Sequence, residues 1–276
     1  MQTKREILTL LESIGRRPVH RLGQNFMIDG NLLRLVAAAG EVKESDLVIE
    51  VGPGTGSLTE ELLATGCRVT AVEIDRELAA LLRERLGDRQ NFHLIEGDAL
   101  EGKHALNSEL LPQIEGKKNL KLVANLPYQI ASPLVIELLI AGAELLAFTV
   151  QKEVARRLAA KAGSEDYGPL SVMAQLLSEV EILRILPPQA FWPMPKIESA
   201  LVRMRRKDRL GEKAAEFGRF LHAVFAYRRK TLRKALAEAG FAAECEAMIR
   251  AEQLSPEEWL DLFETARPLL ARPEGE

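Results

Sequence analysis

Four consecutive residues, Asn125-Leu126-Pro127-Tyr128, have the types needed to hold an aromatic amine. An amide side chain, and carbonyls stiffened beside a proline, accept hydrogen bonds from an amino group. A tyrosine ring gives a flat base a face to stack on. An ordinary proline turn at a strand end is the competing reading of these four residues alone. Further candidates lie upstream. Gly52-Pro53-Gly54-Thr55-Gly56 is a turn whose glycines, Gly52 and Gly54 among them, let backbone pass close to a ligand. Glu73 ends an apolar run 17 residues past Gly56, where a carboxylate can accept the hydroxyls of an unphosphorylated ribose. Asp98 follows the next such run and can accept from an adenine amino group. Taken singly, Glu73 and Asp98 could be a cap or a surface charge; their shared place after successive strands makes them a pair.

The elements that must position these groups follow from periodicity. Strands are expected at Leu47–Val51, Arg68–Asp75, Phe92–Ile95, Lys121 onward, Leu145–Val150, Glu181–Leu186 and Ser199–Arg205. Leucines at helical spacing separate the early strands, and helices are expected at Lys152–Lys161 and Leu170–Glu179. Asp29 and Ser132 read as helix caps, Gly40 as a stop, and Ser132-Pro133 and Ser255-Pro256 as helix starts. Alternating strand and helix to about residue 205 is the signature of a doubly wound, mostly parallel α/β sheet, whose ligands gather outside the carboxyl ends of the strands. Beyond Leu210 only helical spacing appears. Two domains are expected, 1–207 and 208–276. After the sixth strand, Pro187 to Lys196 forms a rigid loop with Phe191 and Trp192 outward-facing.

Composition bounds the classes. The 276 residues are 47% hydrophobic and 28% charged, as in a globular protein. No apolar run approaches the ~20 residues of a membrane span, and Met1 to Glu6 lacks the apolar segment of a signal peptide. Two cysteines, Cys67 and Cys245, make neither a disulfide framework nor a zinc site. A cytoplasmic chain with no membrane partner and no metal is expected. The net charge of −3 hides an asymmetry: Lys196–Lys234 holds 13 Lys and Arg against 4 acids, and Ala235–Glu276 holds 3 against 10. A basic face for a polyanion is expected there; solvated helix faces are the alternative.

The G-x-G-x-G turn departs from the G-x-G-x-x-G of dinucleotide sites, and no phosphate-loop lysine is present. A nucleoside cofactor fits better, and S-adenosyl-L-methionine fits best. On the segments Leu22-Gly23-Gln24-Asn25-Phe26, Glu50 to Gly56, Val72 to Asp75, Asn125 to Tyr128, Gln151 to Val154, Tyr167-Gly168, Leu170 to Val172, Pro193 to Arg203 and Arg228-Arg229-Lys230-Thr231, the chain resembles the small-subunit (16S) ribosomal RNA adenine dimethyltransferases. The resemblance runs over nearly the whole length. It implies a class I S-adenosylmethionine-dependent methyltransferase fold, Rossmann-like, with a seven-stranded mostly parallel sheet and a small α-helical C-terminal domain that binds rRNA. It implies dimethylation of two adjacent adenosines in the 3′-terminal hairpin loop of 16S rRNA within the small (30S) ribosomal subunit, late in ribosome biogenesis, with S-adenosyl-L-homocysteine as product.

The same resemblance assigns cofactor contacts to Asn25, Met27, Gly52, Glu73 and Asp98, and sets Asn125 between cofactor and target base. Five positions depart from the usual pattern: Met27 for Leu, Gln129 and Ala131 in Gln129-Ile130-Ala131 where the family has Asn-Ile-Ser, Pro169 for Arg, and Tyr227 for Gln. In the mechanism expected, Asn125 and the Leu126 carbonyl accept from the adenine amino group, while Tyr128 and Phe191 clamp the base. For Phe191, core packing is the competing reading. Arg203, Arg205, Arg206, Arg228, Arg229, Lys230 and Arg233 are expected to hold RNA phosphates. The chain is expected to act as a monomer. Alternatives are an erythromycin-resistance type enzyme acting on 23S rRNA and a non-catalytic ribosome assembly factor.

Overall fold

The computed structural model describes residues 2–19, 22–102, 105–245 and 248–269. Seven strands form the central sheet: β1 (Leu47–Val51), β2 (Arg68–Glu73), β3 (Phe92–Glu96), β4 (Leu120–Asn125), β5 (Leu145–Gln151), β6 (Ser178–Leu186) and β7 (Ser199–Arg206). Their order is β3-β2-β1-β4-β5-β7-β6. The ladders joining β3, β2, β1, β4 and β5 are parallel, and β7 runs antiparallel to β5. The seven-stranded, mostly parallel sheet expected from the sequence is present. The chain order reverses between β1 and β4, so a crevice opens at their carboxyl ends.

Central strands are buried on both faces, which is why β1 reads as an unbroken apolar run apart from Glu50. Helices Gly30–Ala39, Ser57–Leu63 and Arg76–Leu86 supply Leu33, Val36, Leu62 and Leu82 to a core shared with Val48, Val69 and Val123. Truncating a leucine as enclosed as Leu62 costs about 2–5 kcal/mol. Asp29 caps its helix as expected, accepting from the Asn31 and Leu32 amides, and Asp75 caps Arg76–Leu86 by accepting from the Glu77 and Leu78 amides. Ser132 does not cap: the helix starts two residues earlier than that cap would place it, at Ala131, with Ile130 at the cap position and no side-chain bond there.

The chain divides into two compact units, 1–155 with 179–206, and 156–178 with 207–276. The segment 156–178 thus groups with the C-terminal helices, although its place among the strands suggested the sheet domain. Polar ties explain the grouping. The Tyr167 hydroxyl donates to the Leu254 carbonyl at 2.7 Å, the Gly163 amide donates to the Glu252 carbonyl at 2.6 Å, and the Arg209 amide donates to the Leu176 carbonyl at 3.0 Å. The helix expected to reach Glu179 ends at Leu177, where the Ser178 hydroxyl turns back onto the Ala174 carbonyl and the chain enters β6. Within the second unit Trp259 is fully buried among Phe220 and Phe225. Ser255 starts the last helix with a capping box to Glu258. The tail is not purely helical: Phe241–Ala242 pairs antiparallel with Arg267–Pro268.

Candidate active site

One pocket opens at the carboxyl ends of β1, β2 and β4. It is lined by Asn25, Met27, Gly52, Gly54, Glu73, Asp98, Asn125, Leu126 and Tyr128, among others. Residues drawn from five separate stretches of sequence therefore meet in one cavity. Gly52 and Gly54 have φ of +73° and +61°. A Cβ on Gly54 would lie 2.9 Å from the Phe26 ring, and one on Gly52 would lie 3.1 Å from Pro127. Glycine is required at both positions by conformation and by space.

Glu73 is buried, at 4% exposure. Its Oε2 accepts from the Gly54 amide and its Oε1 from the Asp75 amide, each at 3.0 Å. The carboxylate therefore holds the glycine turn while each oxygen keeps a lone pair for a hydroxyl donor. Burial raises its pKa, and the backbone donors oppose that rise. Asp98 sits exposed at the pocket rim, its Oδ1 accepting from the Leu100 amide at 3.1 Å.

Asn125 ends β4. Its Nδ2 donates to the Asn25 carbonyl at 2.9 Å, and its Oδ1 accepts from the Thr149 hydroxyl. The amide is thus fixed at both ends, oxygen and nitrogen distinguished. Asn25 contributes through its backbone; its own side chain is turned onto the Gly23 carbonyl. Tyr128 is about half-buried, and its hydroxyl shares a 2.7 Å hydrogen bond with Ser199, which fixes the ring edge. Burial raises the phenol pKa further above its usual value, so the ring stays neutral.

Phe191 corrects the sequence expectation. Its backbone pairs with Met27 in a two-residue ribbon, Phe26–Met27 against Phe191–Trp192. The ring is 2% exposed, packed in the core with Met27, and does not line the pocket. The ribbon turns it inward, leaving half-buried Trp192 stacked on Phe26, with ring centroids 6.4 Å apart. Tyr128 is then the one expected clamp residue that reaches the cavity.

The seven basic candidates divide. Arg203 bridges Glu41 at 3.0 Å and Glu181 at 2.7 Å, Arg205 also pairs with Glu41, and the Arg206 Nε donates to the Leu139 carbonyl. A phosphate would have to displace those carboxylates. In the second unit Lys230 pairs with Glu238 and lies over the Tyr227 ring. Arg228, Arg229 and Arg233 are exposed and have no carboxylate partner among the described residues.

Three features escaped sequence reasoning. Glu50 in β1 and Thr149 in the Leu145–Val150 run of β5 are lone polar residues among apolar ones, a signal that was there to be read. Glu50 is buried beside the pocket with one oxygen unpartnered; burial, with repulsion from Glu73 added and the Thr59 hydroxyl opposing, pushes its pKa up to about 8. The third is the tether of the N-terminal segment. Gln24 and Arg16 both donate to the Asp75 carboxylate, and the Gln2 side chain makes two hydrogen bonds with Thr55. Burial alone would raise the Asp75 pKa; the bonds from Gln24 and Arg16 more than offset it and hold the carboxylate low.

The ribosomal RNA adenine dimethylase family model matches residues 17–267. A ribosomal RNA small subunit methyltransferase A from Magnetococcus marinus is 46% identical over 83% of this chain and 82% of its own. Those from Moorella thermoacetica and Streptomyces coelicolor are 39% and 40% identical, over 85% and 91% of this chain and 84% and 89% of theirs. Among solved structures, a dimethyladenosine transferase from Plasmodium falciparum superposes with a TM-score of 0.68 at 24% identity, covering 85% of this chain and 94% of that one. The 23S rRNA methyltransferase ErmE gives 0.62 at 28%, covering 87% and 99%. The fold is that of the class I methyltransferases. With the glycine turn, the buried Glu73 and the pinned Asn125 in one cavity, the chain belongs to the ribosomal RNA adenine dimethylase family and is an rRNA adenine dimethyltransferase.

Proposed function

We propose that this chain dimethylates two adjacent adenosines in the 3′-terminal hairpin loop of 16S rRNA, within the small ribosomal subunit, in the cytoplasm and as a monomer. The observation that carries the proposal is the Asn125 amide, held by Asn25 and Thr149 in the same cavity as the glycine turn. The lining suits S-adenosylmethionine: a glycine turn at Gly52 and Gly54 in the left-handed backbone region beside the cavity, a buried acceptor at Glu73 for ribose hydroxyls, and Asp98 at the rim for an adenine amine. That cofactor, when bound, supplies an electrophilic sulfonium methyl and leaves as neutral S-adenosylhomocysteine.

The protein's task is then placement. An adenine amino nitrogen is a weak nucleophile because its lone pair is spread into the ring. Asn125 Oδ1 and the Leu126 carbonyl accept its two hydrogens and favour a pyramidal nitrogen with its lone pair aimed across the cavity. The Tyr128 ring stacks on the base, an interaction of about 1–3 kcal/mol. A base in a hairpin loop leaves its stack at low cost. The amino proton passes to water, and the mechanism uses no general base. Arg228, Arg229 and Arg233 are the cations best suited to RNA phosphates.

The 23S reading is weaker, since the small-subunit relatives are 39–46% identical against 28% for ErmE. Incubating the protein with methyl-labelled cofactor and unmethylated small or large subunits, then mapping the modified nucleotides, tests the choice. Label in adjacent adenines of the small subunit is expected. Label in the large subunit alone would overturn the reading, and RNA binding without label would favour an assembly factor.

A further inference from the structure

The residue across the ladder from Asn125 is Thr149. It lies in β5, whose residues Leu145 to Val150 are otherwise apolar, and it is fully enclosed. A hydroxyl in such a place is costly unless hydrogen-bonded. Among the described residues, its side-chain bond is the one it donates to Asn125 Oδ1.

A carbonyl oxygen has two lone pairs. Thr149 occupies one, which leaves the other for a ligand in the cavity. The outer torsion of an asparagine is broad and weakly determined by its own chemistry. The orientation of this amide is therefore set by its two partners, Asn25 at the nitrogen and Thr149 at the oxygen.

We infer that Thr149 is a positioning residue that acts through Asn125, and that the second methyl transfer to each adenine depends on it more than the first. The inference rests on the proposed role of Asn125 as acceptor for the target amino group. An unmethylated amino group has two hydrogens, one for Asn125 Oδ1 and one for the Leu126 carbonyl. The monomethylated amine has one, which goes to Asn125. In each transfer the nitrogen lone pair forms the N–C bond, the C–S pair goes to sulfur, and one amino proton is released to water. For the second transfer, orientation hangs on a single acceptor and on how firmly that acceptor is held.

The test compares wild type with T149V, which keeps the branched shape and removes the hydroxyl, and T149S, which keeps the hydroxyl. Nucleotide analysis during turnover on unmethylated small subunits should show monomethyladenosine accumulating several-fold over wild type in T149V and near the wild-type level in T149S. Melting temperature and affinity for S-adenosylhomocysteine should stay close to wild type in both. The side-chain amide resonances of Asn125 should shift or broaden in T149V and hold in T149S. No excess of monomethyl product in T149V overturns the inference. An equal excess in both variants also overturns it, because packing rather than the hydroxyl would then be responsible. If wild type itself transfers no methyl to small subunits, the functional reading has failed and the inference falls with it.

Discussion

Replacing Glu73 with glutamine tests the proposed cofactor site at its most enclosed point. The carboxylate takes the Gly54 amide on one oxygen and the Asp75 amide on the other. Glutamine keeps one oxygen and presents an NH2 in place of the second, so one backbone N–H and one ligand hydroxyl lose their acceptor. A hydrogen bond to a charged group contributes about 1.5–3 kcal/mol. At about 1.4 kcal/mol per decade, cofactor affinity should fall roughly ten- to hundredfold. Stability should change much less. The missing bond to a backbone amide is offset by no longer burying a carboxyl whose pKa burial already raises. The melting temperature is expected to move by less than about 4 °C. Calorimetric titration with S-adenosylhomocysteine reads the affinity, and a thermal melt reads the fold. For an analogue lacking both ribose hydroxyls the loss should shrink sharply, since the carboxylate then has nothing to receive. An affinity within twofold of wild type for the natural ligand would refute the reasoning, and so would an equal loss for the analogue.

Glu50→Gln should flatten the dependence of stability on pH. A carboxyl at about 8 in the folded chain and near 4.5 when unfolded binds its proton more tightly when folded. Its contribution is complete below about 4.5 and is lost as pH rises toward 8. The variant should therefore gain on wild type across that window in urea melts, and parallel curves would contradict this. Removing Arg228 and Arg229 together should weaken RNA binding and lower the slope of log affinity against log salt by about 0.7–0.9 for each phosphate no longer neutralised. Arg203→Ala, by contrast, should leave the salt slope unchanged and cost about 1 kcal/mol of stability or less, because it breaks the ion pairs with Glu41 and Glu181. A lower slope in Arg203→Ala would return that residue to the RNA surface.

Much of the architecture was legible in the order of residues because its signals are local. Period-two and period-3.6 spacing of apolar residues marks the strands and helices, and strand–turn–helix punctuation marks the glycine turn. The rule that ligands gather at the carboxyl ends of parallel strands then brings Gly52, Glu73, Asp98 and Asn125 to one rim without any coordinates. Motif types over nearly the whole chain pointed to the family. What the sequence could not supply are facts of pairing between distant segments. Phe191 reads as an exposed aromatic in a proline-rich loop, and only its ribbon with Met27 turns it into the core. Arg203 and Arg205 read as free cations until Glu41, more than 160 positions away along the chain, is seen beside them. Residues 156–178 look like one more helical crossover until Tyr167 is seen bonded to Leu254. Thr149 is an ordinary hydroxyl until the parallel register of β4 and β5 sets it against Asn125. Periodicity fixes which face a side chain takes on its own element, but which partner it meets depends on how the chain closes in three dimensions.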